Sequence, residues 1–216
     1  MLAKKLKKNA GTAKAKWSRR KDARPQEIAC AALKLFAIKG FAATRLDDVA
    51  KEAGVSKGTL YLYFSDKEAL FKQVVQGGII DNIAPLEGVI KTHTGKTEDL
   101  LRMVIVHMTT LVTTTPAGAI PKLIISEAGN FPKVTAFYRD EVVFRIHKIM
   151  VSIIKQGVAS GEFRSAPMME AARSLLAPIF MLALAVNMPG FKEKLEMNPA
   201  KQAEVTLDIW LKGMRP

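Results

Sequence analysis

Residues 44–71 read TRLDDVAKEAGVSKGTLYLYFSDKEALF, a pattern of two short helices joined at a glycine and followed by another helix. Gly54 suits the sharp turn between the first two, because glycine adopts a left-handed backbone at little cost. Ser56 is placed to cap the helix after the turn. Two helices joined in this way are typical of a helix-turn-helix, whose second helix enters the DNA major groove.

The residues before this stretch predict one more helix, over 25–39. Its apolar positions recur at helical spacing and define a buried face of Ile28, Ala32, Leu35 and Phe36. Gly40 ends this helix because glycine favours the left-handed conformation of a helix stop. The sequence therefore predicts a three-helix domain over residues 25–72.

Two capping boxes are predicted at the starts of the later helices. The Thr44 hydroxyl would accept a free N–H of the second helix, while Asp47 reaches back three residues. Ser65 and Glu68 have the same spacing at the start of the fourth helix. We therefore expect Thr44 and Ser65 to be the capping residues.

The helix after Gly54 has two distinct faces. Leu60 and Phe64 are expected to pack inward, whereas Lys57 and Tyr61 share another face. Taken singly, the tyrosines could be packing residues and the lysines solvated surface, but their ordered combination favours DNA binding. The predicted DNA-binding residues are Thr44, Ser56, Lys57, Gly58, Thr59, Tyr61, Tyr63 and Lys67.

The formal net charge of +13 is concentrated at the N-terminus. Residues 1–24 contain seven lysines, three arginines and one acid, a net charge of +9 that leaves +4 for the other 192 residues. Few large apolar residues accompany these charges, which predicts a flexible basic arm. The arm would follow phosphates or enter a minor groove, raising affinity and salt dependence more than specificity. The alternative is a solvated tail without a specific role.

Composition bears on whether the protein is disulfide-linked, membrane-bound or secreted. Cys30 is the only cysteine, which excludes an internal disulfide, and its apolar neighbours predict an inert core thiol. The apolar run from Leu175 to Met188 has 14 residues, fewer than the roughly 20 that span a membrane. No secretory signal is evident. We expect a cytoplasmic protein without a membrane partner.

The motifs resemble the N-terminal domain of the tetracycline-repressor (TetR) family of bacterial transcription regulators. The matching segments are ALKLFAIKGF (32–41), AT (43–44), DVAKEAGVSKGTLYLYF (48–64) and KEALF (67–71). The resemblance implies an all-α homodimer that binds a palindromic operator in double-stranded DNA and usually represses a nearby promoter. A small-molecule effector in the C-terminal domain would spread the two DNA-binding domains and release the operator.

By position, the same resemblance assigns roles to the predicted DNA-binding residues. It implies that phosphates are held by Thr44, Tyr63 and Lys67. It implies a place on or beside the bases for Ser56, Lys57, Gly58, Thr59 and Tyr61.

Residues 73–216 are predicted to form a larger helical domain for effector binding and dimerisation. Helices are expected over 66–83, 97–114, 120–128, 132–159, 167–186 and 199–212, with a break beginning at Pro85. Residues 122–138 resemble the C-terminal domains of a broad TetR subgroup, some of whose members regulate efflux or stress genes. Family position suggests the last two helices as dimer faces.

An effector pocket is predicted among methionine, aromatic and histidine side chains of this domain. Methionine adapts to varied apolar ligands, so the effector is expected to be apolar or amphipathic. Packing in the core is the alternative for each residue. Two histidines without nearby cysteines do not make a metal site, and no cofactor is expected. The candidates are Met103, His107, Met108, Phe137, Phe144, His147, Met150, Phe180 and Met181.

Three other functions compete with a ligand-released repressor. One is an activator of the same family, and another is a largely sequence-neutral DNA-binding protein driven by the basic arm. The third is an enzyme, but no nucleophile elbow, metal motif or phosphate loop accompanies the acid–base candidates Asp99, Glu127, His107 and His147. We therefore predict a protein that is not an enzyme.

Overall fold

The computed structural model describes residues 24–194 and 196–216, a range built from α-helices and containing no strand. The predicted basic arm lies outside the described residues, apart from Arg24. The helices are α1 (24–39), α2 (Leu46–Glu52), α3 (Lys57–Tyr63), α4 (Lys67–Val75), α5 (Asp81–Thr92), α6 (Thr97–Thr114), α7 (Ala119–Glu127), α8 (Pro132–Tyr138), α9 (Phe144–Ala159), α10 (Met168–Val186), α11 (Phe191–Lys194) and α12 (Pro199–Met214). Wide π-helical turns at Gln76–Ile80 and Arg139–Val143 join α4 to α5 and α8 to α9, and a short 3-10 turn at Pro116–Gly118 precedes α7.

The three-helix unit of α1–α3 has the predicted helix-turn-helix connection. Gly40 and Gly54 have φ angles of +82° and +65°, the left-handed region in which glycine is favoured. The Ser56 hydroxyl accepts a hydrogen bond from the Thr59 N–H at 3.1 Å, which confirms the predicted cap of α3. The local chemistry of the turn thus fixes where α3 begins.

Both predicted capping boxes are wrong. The buried Thr44 hydroxyl donates to the Gly40 carbonyl at 2.7 Å, and α2 begins after Arg45 without a side-chain cap. Asp66 caps α4 by accepting from the Ala69 N–H at 2.7 Å, while Ser65 donates to the Asp66 carboxylate. A carboxylate is the stronger acceptor at a helix N-terminus, because it also interacts with the helix dipole.

The predicted break at Pro85 is wrong as well. Helical structure continues from α4 through the π-helical turn and α5 to Thr92, with Pro85 inside α5. Packing explains the continuous helix. The buried side chains of Ile83, Leu86 and Ile90 hold α5 against the larger helical region that follows the three-helix unit, which we call the body, and there α5 contacts α6 and α9. Residues 132–159, predicted as one helix, contain the second π-helical turn.

Cys30 is exposed, so the predicted core position of its thiol is wrong. Residues next to each other in a helix point in different directions, and Cys30 shares the exposed side of α1 with Gln26 and Lys34. Its side chain lines a cavity of about 260 Å³ between α1 and residues of α4, α6 and the 3-10 turn.

The body is organised around α6, which contacts α5, α9, α10 and α12. Among the described residues, α10 is long and apolar enough to cross a membrane, as is the bent pair of α6 and 116–127 if counted as one span. The α10 helix has 19 residues, more than the 14 of the apolar run 175–188, so its length does not exclude a membrane span. Its buried residues pack against α6, α7, α9 and α12.

The positive φ of Gly54 gives a direct test of the turn. No atom lies within 4 Å of an added Cβ, so Gly54→Ala causes no steric clash. The strained left-handed backbone alone should lower the free energy of unfolding by about 1–2 kcal/mol. We expect a melting temperature several degrees lower for Gly54→Ala and a smaller loss for Gly54→Asn, because asparagine tolerates this region better. Unchanged thermal unfolding of Gly54→Ala would contradict the turn.

Candidate nucleic-acid interface and effector cavity

The α3 helix has one face in the core and one in solvent. Leu60 is fully buried and Phe64 nearly so, against α1 and α2 side chains of the same hydrophobic core. Ser56 and Thr59 hydroxyls lie 2.8 Å apart and stabilise the first turn. The outward face consists of exposed residues, namely Lys57, Gly58, Tyr61 and Leu62.

Most of the predicted DNA-binding residues lie on α3 or at its N-terminus and keep exposed surface. Ser56, Lys57, Gly58 and Tyr61 are exposed, whereas Thr59 and Tyr63 are half-buried. Thr44 differs from them because it is buried and its hydroxyl is bound to the Gly40 carbonyl.

Lys57 carries a charge that is already paired within the protein. Its ammonium lies 2.9 Å from a carboxylate oxygen of Asp47 on α2 and 6.0 Å from the centre of the Tyr61 ring. The hydrogen bond and the charge of Asp47 raise the pKa of Lys57 above its ordinary value. Lys57 is therefore a cation, and because its ammonium has three N–H donors it can donate to a base or phosphate in addition to Asp47.

Lys67 is bound to the loop between α1 and α2. Its ammonium donates to the carbonyl oxygens of Phe41, Ala42 and Thr44 at 2.6, 2.9 and 3.1 Å. Burial lowers the pKa of Lys67, and the charge of Glu127 opposes this effect. This arrangement favours a structural role for Lys67, in which it holds the loop, rather than the predicted contact with a DNA phosphate.

Two residues of the body contact the same loop. Glu127, at the end of α7, accepts a hydrogen bond from the Ala42 N–H at 3.0 Å. The Phe131 ring lies edge-on to Phe41, with ring centres 4.7 Å apart. The residues that make these contacts, together with Lys67, are called the joint: Phe41, Ala42, Lys67, Glu127 and Phe131. The contacts of Glu127 and Phe131 with the loop were not predicted, because no local motif gives a signal for them.

A cavity of about 390 Å³ lies in the body between α6, α7, α8, α9 and α10. It contains Met108, His147 and Phe180 of the predicted effector-binding residues. Its other lining residues are mostly apolar: Val112, Pro121, Tyr138, Val142, Val143, Ile146, Arg173, Leu176, Ala177, Ile179 and Ala183. This volume is within the range of small-molecule sites.

Three polar side chains line the cavity, and each can orient a ligand by a hydrogen bond or a charge. Arg173 is largely exposed and pairs with Glu170 at 3.4 Å. His147 Nδ1 lies 2.7 Å from the Val143 carbonyl oxygen. Burial raises the pKa of Tyr138, which keeps its hydroxyl protonated at neutral pH. A cation and a phenol thus accompany an otherwise apolar lining.

The other six predicted effector residues do not line this cavity. Met150 is fully buried in the core, and Phe137 is half-buried beneath the Lys72 ammonium. His107 Nε2 lies 3.0 Å from the Asn82 carbonyl oxygen. The remaining three are exposed: Met103, Phe144 and Met181. In residues 24–194 and 196–216, no three or more His, Cys, Asp or Glu side chains are grouped to hold a metal ion.

The exposed α3 and the turn before it define the helix-turn-helix class of regulators. Residues 28–74 match the family described as "Bacterial regulatory proteins, tetR family". The N-terminal unit of the chain thus has the helix-turn-helix signature of TetR-family regulators, and a larger helical C-terminal region follows it.

Sequence relatives match this chain either closely over a short segment or more distantly over most of its length. The uncharacterized HTH-type transcriptional regulator YfiR of Bacillus subtilis is 40% identical over 67 residues, 31% of this chain and 33% of YfiR. The match thus spans a third of that relative. The HTH-type transcriptional repressor KstR2 of Rhodococcus jostii is 23% identical over 188 residues, 87% of this chain and 91% of KstR2.

A solved structure shares the fold of the whole helical assembly. The transcriptional regulator FadR from Bacillus subtilis, in complex with stearoyl-CoA, aligns with a TM-score of 0.65 and 19% identity. The alignment covers 88% of this chain and 99% of FadR. At this identity the likeness concerns the fold.

The two roles considered for Lys67 predict different mutant behaviour. Lys67→Met removes the ammonium from three carbonyls, so we expect a melting temperature several degrees lower and faster amide exchange at residues 42–45. The matched control is Lys72→Met, which removes the same charge from the same helix. A Lys67→Met variant with the control's stability and exchange, but weaker DNA binding, would instead support the phosphate contact.

Proposed function

We propose that the chain is a sequence-specific DNA-binding regulator, most simply a homodimeric repressor that a small molecule releases from a palindromic operator. The observation that carries this proposal is α3: its inner face is fixed in the core, while Lys57, Gly58 and Tyr61 are exposed on the outer one. A short helix presented in this way fits the major groove. The TetR-family signature of residues 28–74 supports the same function.

An unpaired apolar surface on α10 and α12 supports the homodimer. On α10, Phe180 and Met181 are 40% and 60% exposed, Met188 just beyond the end of this helix is 40% exposed, and on α12 Val205 and Ile209 are 46% and 67% exposed. Because these side chains recur at helical spacing, they can pair with the same helices of a second copy. Two copies related by a twofold axis would place their α3 helices on half-sites about 34–36 Å apart, or a multiple of that.

The cavity supports an amphipathic effector. Its apolar lining suits an alkyl chain or another apolar body, and Arg173 could pair with an anionic head group. The ligand of the FadR structure, stearoyl-CoA, has this combination of properties. We therefore propose long-chain acyl thioesters as the first effectors to test, while the efflux or stress subgroup suggested by residues 122–138 remains a prediction.

The joint connects this cavity to the three-helix unit. Pro121 on α7 and Tyr138 on α8 line the cavity, and Glu127 and Phe131 lie between them in the chain. A ligand that displaces α7 or α8 would therefore displace the two side chains that hold the α1–α2 loop. This connection is the proposed route from effector binding to operator release.

An activator would use the same contacts and differ only in where its operator lies. A sequence-neutral DNA-binding protein would depend on residues 1–24 rather than α3. The cavity has no grouped nucleophile, base and oxyanion donors that would favour an enzyme over a binding protein. We place the protein in the bacterial cytoplasm, on the nucleoid when it is bound to DNA.

Sequencing of genomic fragments captured by the purified full chain tests the proposal. At about 0.15 M salt we expect enrichment of a few promoter fragments that share a palindrome. Lys57→Ala should weaken capture of these fragments, whereas Lys39→Ala, which also removes a lysine paired with an α2 aspartate, should not. Uniform capture of all fragments, lost with modest added salt, would contradict sequence-specific regulation.

Calorimetric titration with stearoyl-CoA tests the effector class. Arg173→Gln should weaken binding about tenfold, or roughly 1.4 kcal/mol, by removing the partner of the anionic head. The control is Arg102→Gln, because Arg102 pairs with Glu98 and Asp208 and does not line the cavity. Equal affinity of Arg173→Gln and wild type, or equal binding of coenzyme A without its acyl chain, would contradict this assignment.

A further inference from the structure

Leu62 is the most exposed large apolar side chain in the described part of the chain. It is 83% exposed, whereas Leu60, two residues earlier on the same helix, is fully buried. The predicted DNA-binding residues do not include it. In the free protein this leucine leaves most of its apolar surface in water, although burial of that surface would be favourable.

The position of Leu62 on α3 is opposite the core. Successive residues of a helix are about 100° apart, so Leu62 points away from Leu60, on the same side as Gly58. Helical side chains lean toward the N-terminus, which brings Leu62 over the turn that contains Gly58. That turn is open: a Cβ added to Gly58 would have one neighbour within 4 Å, the Ser56 hydroxyl oxygen at 3.9 Å.

Leu62 therefore forms an apolar point in the middle of a polar surface. Lys57 and Tyr61 lie beside it on the outward face, and each offers hydrogen-bonding groups. The low surface at Gly58 allows a partner to approach the leucine closely. A partner for this surface must combine polar edges with a small apolar group.

The base edges of the major groove offer such a group in the thymine methyl. The other features exposed there are hydrogen-bond donors and acceptors, which a leucine cannot satisfy. We infer that Leu62 is a specificity-determining residue that recognises the 5-methyl group of a thymine in each half-site. This inference rests on the proposed function, because it requires that α3 enter the major groove of an operator.

Replacement of single thymines by deoxyuridine tests the inference, because it removes the methyl group and keeps the base pair. The probe is a duplex that carries the palindrome enriched in the genomic capture. Each thymine is replaced in turn, at symmetry-related positions, and affinity is measured for the full chain. At one position we expect wild type to lose about fourfold per half-site, the effect of about one buried methyl group.

Three variants identify the residue that senses the methyl group. Leu62→Ala should bind the thymine and deoxyuridine duplexes equally at that position, and Leu62→Met should retain part of the preference. Ile38→Ala, which removes a 72% exposed apolar side chain from α1, should retain the wild-type preference in full. Thermal unfolding of all three should match wild type, since both side chains are exposed.

Two results would overturn the inference while leaving the proposed function intact. One is a palindrome that wild type binds equally with thymine or deoxyuridine at every position. The other is a Leu62→Ala variant that keeps the wild-type preference for thymine. Failure to enrich any palindrome would instead contradict the proposed function itself.

Discussion

The ammonium of Lys67 and the carboxylate of Glu127 both bind the α1–α2 loop, which connects the first helix of the three-helix unit to the helix-turn-helix. Three loop carbonyls accept from Lys67, and the Ala42 N–H donates to Glu127. Glu127 is a buried residue, and a buried polar group left without a partner costs about 1–3 kcal/mol. The loop therefore has a defined position, which the Phe41–Phe131 ring contact extends into the body.

This joint gives one physical basis for both binding and its control. In the proposed function, α3 recognises DNA with its outward face, while its inward face and the preceding Gly54 turn are fixed within the three-helix unit. The same unit is attached to α7 and α8, which also line the cavity of the body. In the proposed mechanism, occupation of the cavity changes the orientation of α3 through a short stretch of chain, between Pro121 and Tyr138.

Local chemistry decides which of these features could be predicted from the sequence. The Gly54 turn and the Ser56 cap depend on residues within a few positions, and both were predicted correctly. Lys67 binds residues 23–26 positions away, and Glu127 binds Ala42 across 85 positions, so no local pattern reveals either contact. The break expected at Pro85 failed for a similar reason, because packing against the body overrides the local preference of proline. The predicted DNA contacts of α3 remain predictions.

The central claim is that α3, rather than the basic arm, selects the DNA sequence. Its most direct test compares the affinity for the captured palindrome with that for a scrambled duplex of the same composition, using the full chain and a chain lacking residues 1–23, at about 0.15 M salt. The account predicts that both proteins prefer the palindrome by at least about a thousandfold, with lower affinity for both duplexes after truncation. Loss of the preference together with the arm would contradict it.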